Sequence, residues 1–81
     1  MNTNTFMNDL SQCIRYHRKK SGLTQAELAK FAGMGKTVVY DIEQGKESIQ
    51  LNTVLNILAV LNINIYLDSP LMKHWKQDEK S

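Results

Sequence analysis

Leu23-Thr24-Gln25-Ala26-Glu27-Leu28-Ala29, the spacer Gly33-Met34-Gly35 and the run Lys36-Thr37-Val38-Val39-Tyr40-Asp41-Ile42-Glu43-Gln44 decide how this 81-residue chain folds. Thr24 and Glu27 have the spacing of a capping box, in which the threonine hydroxyl accepts from the Glu27 amide and the glutamate reaches back to the Thr24 amide. Leu23 and Leu28 occupy the two positions of a hydrophobic staple around that start. Gly33 stands where such a helix would end. Three residues then separate it from a further helix, expected over Lys36–Gln44 and stopped by Gly45. Along that run Val39 and Ile42 point one way, and Lys36, Thr37, Tyr40 and Asp41 are left to point elsewhere.

Upstream, Met7, Leu10, Ile14 and His17 recur at spacings of three and four, the stripe of an amphipathic helix. That helix should stop near Lys20, with cations at its negative end and Gly22 just beyond. Downstream, a helix is expected from Leu51 to Asn62, with Leu51, Val54, Leu55 and Leu58 as its core stripe. Ile57 and Val60 are apolar but lie off that stripe, so the helix calls for a second buried contact.

Ile63-Asn64-Ile65-Tyr66-Leu67 alternates apolar and polar residues, the period of a half-buried strand. A lone strand cannot satisfy its own backbone groups. Pairing with its twin across a two-fold axis is the economical solution, and pairing with the N-terminal arm is the alternative. A homodimer interface of Ile57, Val60, Ile63, Ile65 and Leu67 follows. Pro70 ends the strand region. Residues 1–70 thus read as one domain and residues 71–81 as a polar tail, in which Trp75 either docks on a partner or packs back on its own domain.

Two short helices joined by three residues, with one helix before and one after, fit a helix-turn-helix unit. A plain four-helix bundle would use longer helices. The expected fold is therefore all-α, four to five short helices plus a C-terminal strand that closes a dimer.

Composition bounds the function. The length allows one domain, and the 42% hydrophobic content is ordinary for a globular fold. The single cysteine, Cys13, excludes an internal disulfide framework and reads as a buried, inert thiol on a helix. Net charge is only +2, but residues 10–46 hold seven basic and three acidic side chains, while residues 47–81 hold three basic and four acidic. The first half can thus turn a basic face toward phosphate, and a dimer doubles it. No signal-peptide pattern opens the chain and no apolar run reaches membrane-spanning length, so a cytoplasmic location is expected.

Catalysis finds little support. Gly35-Lys36-Thr37 imitates the end of a phosphate-binding loop, but Lys30 stands where the earlier glycine is required, and a helix rather than a strand precedes it. His17 and His74 are far apart with no third ligand at metal spacing, and His17 reads as a helix-face or core histidine. No cofactor, metal or catalytic residue is expected.

Ser21-Gly22-Leu23-Thr24-Gln25-Ala26-Glu27-Leu28-Ala29, then Gly33, then Ile42-Glu43-Gln44-Gly45-Lys46, resembles the phage-repressor (Cro/C1, XRE) helix-turn-helix family across residues 10–65. The resemblance implies a lambda-repressor-like fold, a homodimer and a pseudo-palindromic double-stranded operator. It carries over a phosphate contact to Gln25, base contacts in the major groove to Lys36 and Thr37, and backbone contacts to Gln44 and Lys46. Asp41 matches a base-reading position, but a carboxylate also repels phosphate, and pairing with Lys36 or Lys46 is its other reading. Val38 reads as packing and Tyr40 as a sugar or phosphate contact. Arg18 and Glu43 match a salt bridge between the first and third helices, the alternative being a solvated arginine.

A narrower resemblance covers Gly33 through Leu51, the stretch Ile63–Leu67 and Ser69-Pro70, which are similar to HipB-type antitoxins. It implies strand pairing between subunits and two partners, operator DNA and a HipA-like serine/threonine kinase toxin. A stand-alone phage or restriction-system regulator, and a protein-interaction module that no longer binds DNA, are the competing expectations.

Overall fold

The computed structural model describes residues 3–79, with the side chains of residues 5–75. Five helices follow one another: α1 (Thr3–Lys20), α2 (Gln25–Ala32), α3 (Lys36–Glu43), α4 (Leu51–Val60) and α5 (Met72–Glu79). α2 packs against both α3 and α4, and α1 packs against α3.

Local chemistry explains the boundaries. Thr24 stands in extended backbone before α2, its hydroxyl 3.0 Å from the Glu27 amide, while its own amide donates to Glu27 Oε1 at 2.9 Å. Both halves of the expected capping box are present. At the other end Gly33 adopts φ 73°, ψ 35°. In that left-handed turn its amide reaches the Lys30 carbonyl and the Met34 amide reaches the Ala29 carbonyl, so the last carbonyls of α2 are satisfied. α4 ends by the same device with a different residue. Asn62 takes φ 58°, with its amide on Ala59 O and the Ile63 amide on Leu58 O. Asparagine is among the few side-chain-bearing residues that enter this region readily, so α4 stops at Val60, short of the expected Asn62.

The core is one cluster: Ile14 from α1, Leu28 and Ala29 from α2, Val39 and Ile42 from α3, and Val54, Ile57, Leu58 and Leu61 from α4 and its end. α4 differs here from the expected stripe. Leu51 and Leu55 are 69% and 45% exposed, whereas Ile57 is fully buried. The buried set 54, 57, 58, 61 is itself an i, i+3, i+4, i+7 stripe, rotated from the one expected. Because α4 is apolar around most of its circumference, periodicity alone does not choose between the two. One consequence is a correction: Ile57 is spent inside its own chain and has no surface to offer a partner.

The strand expected over residues 63–67 is not formed among the described residues. A ladder needs a second extended segment, and the N-terminal arm that was the internal alternative is taken up in α1 from Thr3 onward. Val60 and Ile63 are half-buried against the core, and Ile65, Tyr66 and Leu67 are exposed. Within the polar tail, Met72–Glu79 forms α5. Cys13 is half-buried rather than buried. Its carbonyl oxygen accepts from His17 Nδ1 at 2.7 Å and its sulfur lies 3.6 Å from the same nitrogen, which places His17 on the helix face.

Candidate nucleic-acid interface

α3 is a short rod held by two side chains. Val39 and Ile42 are fully buried, and Val38 packs against the same cluster. With three apolar residues turned inward, Lys36, Thr37, Tyr40 and Gln44 are exposed. Gly35 precedes α3 in extended backbone with no side-chain cap, and its carbonyl accepts from the Val38 amide at 3.1 Å. Gly45 then takes φ 85°, its amide on Ile42 O and the Lys46 amide on Asp41 O.

Of the two lysines that could pair with Asp41, the structure brings Lys46 to it. The Asp41 carboxylate pairs with Lys46 Nζ at 3.6 Å. The pair sits partly in solvent and contributes little to stability, about 0–1 kcal/mol, but it partly neutralises the carboxylate on this face.

Behind the face lies the ion pair expected between Arg18 and Glu43. Arg18 Nε donates to Glu43 Oε2 at 2.6 Å and Nη2 donates to Oε1 at 3.0 Å, a two-pronged contact. Arg18 Nη1 also donates to the Leu23 carbonyl at 2.9 Å, tying the α1–α2 turn into the same junction. The Glu43 hydrogen bond raises the guanidinium pKa above its ordinary value; burial acts against it and the Glu43 charge adds to it. No buried side-chain nitrogen or oxygen among the described residues lacks a partner.

Gln25 is only half-exposed, and its Nε2 donates to Glu43 Oε1 at 3.1 Å. Sequence reasoning assigned Gln25 and Glu43 separate roles and missed this contact. The two are 18 positions apart on different helices, and no local pattern links them. The Leu23 carbonyl as an acceptor was missed for a similar reason, because every residue carries one. On α1, Lys20 Nζ lies 5.7 Å from the Tyr16 ring centroid, a cation–π contact at the end of the basic run.

Among the described residues no group of three or more His, Cys, Asp or Glu side chains is placed to hold a metal ion. No described helix is long and apolar enough to cross a membrane.

Two short helices crossing through a three-residue turn, braced by a helix on either side and presenting the polar face of the second, define a helix-turn-helix domain of the DNA-binding class. Residues 14–67 match the family model described as Helix-turn-helix. The chain belongs to this XRE-type helix-turn-helix family. It is 37% identical over 62 residues to the uncharacterized HTH-type transcriptional regulator y4mF of Sinorhizobium fredii (strain NBRC 101917 / NGR234), an overlap of 76% of this chain and 82% of that one. It is 34% identical over 56 residues to the ImmF control region 10 kDa protein of Bacillus phage phi105, covering 69% of this chain and 62% of that one.

Proposed function

We propose that this protein is a sequence-specific transcriptional repressor that acts by occupying a pseudo-palindromic operator as a homodimer. The observation that carries the reading is α3 itself: anchored by Val39 and Ile42, it turns Lys36, Thr37, Tyr40 and Gln44 outward together. Lys36 suits guanine O6 and N7, and Thr37 suits a thymine methyl. Tyr40, Gln44, Lys46 and Gln25 serve the sugar–phosphate backbone, which sets register and orientation rather than sequence. Asp41 is the remaining base-reading candidate, its carboxylate able to accept from cytosine N4 when Lys46 turns to phosphate.

Dimerisation through Val60, Ile63, Ile65 and Leu67, by pairing of residues 63–67 with the same segment of a second copy, sets two α3 helices about one turn (~34 Å) apart in successive major grooves. Residues 1–70 form the working unit. The protein acts in the cytoplasm, with no catalytic step, cofactor or metal of its own.

The finer reading is that of a HipB-like antitoxin which represses its own operon and binds a HipA-like kinase toxin; it rests on the likeness of residues 33–51 and 63–70. The phage relative favours the other fine reading, a stand-alone regulator. A kinase-like reading frame beside this one decides for the antitoxin, and co-purification with that kinase tests it directly.

The repressor reading is tested by selecting the tightest binders of the full chain from randomised duplex DNA. The expected product is an inverted repeat whose half-sites are one helical turn apart. A population without a shared motif would leave a protein-interaction module as the function.

A further inference from the structure

Glu43 lies in the last turn of α3 with its side chain 2% exposed, so it contributes nothing to the outward face itself. Its carboxylate nevertheless gathers three donors from two other helices: Arg18 Nε and Nη2 from α1, and Nε2 of Gln25, the first residue of α2. Arg18 already balances the charge, so the third bond is not required for neutrality. What it does is orient Gln25. A carboxylate at this junction only accepts, so the glutamine amide must turn its nitrogen toward Glu43. That nitrogen carries two hydrogens; Glu43 takes one and leaves the other for an acceptor outside.

We propose that Glu43 is a positioning residue for the phosphate contact: through Gln25 Nε2 it holds the glutamine in its DNA-binding rotamer and locks that contact to the helix that carries Lys36 and Thr37. This rests on the reading of the face as DNA-binding. A glutamine at a helix start, left alone, samples many rotamers and must be ordered when phosphate arrives. Here it is ordered beforehand by the same carboxylate that fixes α3 to α1. One buried group thus couples the part of the surface that sets register to the part that reads bases.

The test is a double-mutant cycle on the full chain, read as affinity for the duplex that selection yields, with circular dichroism to compare folding. Gln25→Ala should weaken the unaltered protein about fivefold, the scale of one side chain ordered in advance. In a Glu43→Asp background, where the shorter carboxylate keeps its charge for Arg18 but withdraws from Gln25, and again in an Arg18→Met, Glu43→Met background, which removes the acceptor together with the cation it balances, the same change should cost less than about twofold. A fivefold loss in every background would overturn the proposal and make Glu43 a structural anchor only. Nitrogen relaxation of the Gln25 side-chain amide in the unaltered chain reads the same point without any variant. Order close to that of the rigid backbone (S² about 0.85) is expected, and a freely reorienting amide overturns the proposal even if the Glu43 variants fail to fold. If the unaltered chain selects no duplex at all, the DNA-binding reading itself has failed, and the proposal falls with it.

Discussion

Asp41 and Lys46 are joined twice, once through the 3.6 Å ion pair of their side chains and once through the Lys46 amide, which donates to the Asp41 carbonyl at 3.0 Å. The backbone bond closes α3 and delivers the lysine to the aspartate. Asp41, the acidic side chain on the outward part of α3 among the described residues, is thereby matched with a cation whose position depends on Gly45 taking a left-handed turn.

Asp41→Asn should therefore leave stability within about 0.5 kcal/mol, as for most surface changes, while tightening binding to random-sequence duplex, because an anion near phosphate is removed. Urea titration and fluorescence anisotropy measure the two effects. A loss confined to the selected operator would instead mark Asp41 as a base reader.

Lys36→Ala should weaken the selected site by roughly 1–3 kcal/mol relative to random DNA and relax the preference at one base pair. Competition binding measures it. Equal losses on both duplexes would reassign Lys36 to a phosphate.

Arg18→Met leaves Glu43 buried without its cation and should cost roughly 3–5 kcal/mol of unfolding free energy, while replacing both partners by apolar residues should cost markedly less. Chemical denaturation of the two variants compares them. A single variant as stable as the unaltered chain would mean the pair contributes nothing to holding α1 on α3.

Thr24→Ala should destabilise by about 1 kcal/mol through loss of the α2 cap. It should also change the acid limb of stability. Bonds from the Thr24 amide and hydroxyl region hold the Glu27 carboxyl below its ordinary value of 4.5, the backbone bond contributing most. A lowered pKa contributes stability that is complete above the unfolded value and disappears as pH falls through the folded one. Denaturation midpoints below pH 4.5 should then fall less steeply in the variant than in the unaltered chain. Parallel limbs would mean that the backbone amide of residue 24, which alanine keeps, holds the Glu27 carboxyl down without help from the hydroxyl.

Ile57 and Ile65 should respond in opposite ways. Ile57→Ala opens a cavity in the core and should cost about 2–5 kcal/mol with the oligomeric state unchanged at concentrations where the variant is folded. Ile65→Lys, on a half-exposed side chain, should keep the fold and shift sedimentation toward monomer. An Ile65→Lys protein that sediments as before would remove residues 63–67 from the dimer.

Residues near one another in the chain carried their own instructions. The capping box at Thr24 and Glu27, the glycine stop at Gly33 and the inward pair Val39 and Ile42 depend on contacts within four positions or on a single helical period, so α2, α3 and the polar face of α3 were legible before any coordinates. The Arg18–Glu43 pair was legible only by family likeness. Three matters belonged to the tertiary structure. Which stripe of α4 is buried was settled by the docking of α2, because an almost uniformly apolar helix offers several equivalent faces. Whether Asp41 meets Lys36 or Lys46 was settled by a left-handed turn that brings Lys46 back. The bond from Gln25 to Glu43 arose because α1, α2 and the end of α3 converge on one carboxylate, and convergence in space of residues remote in sequence leaves no periodic trace along a chain.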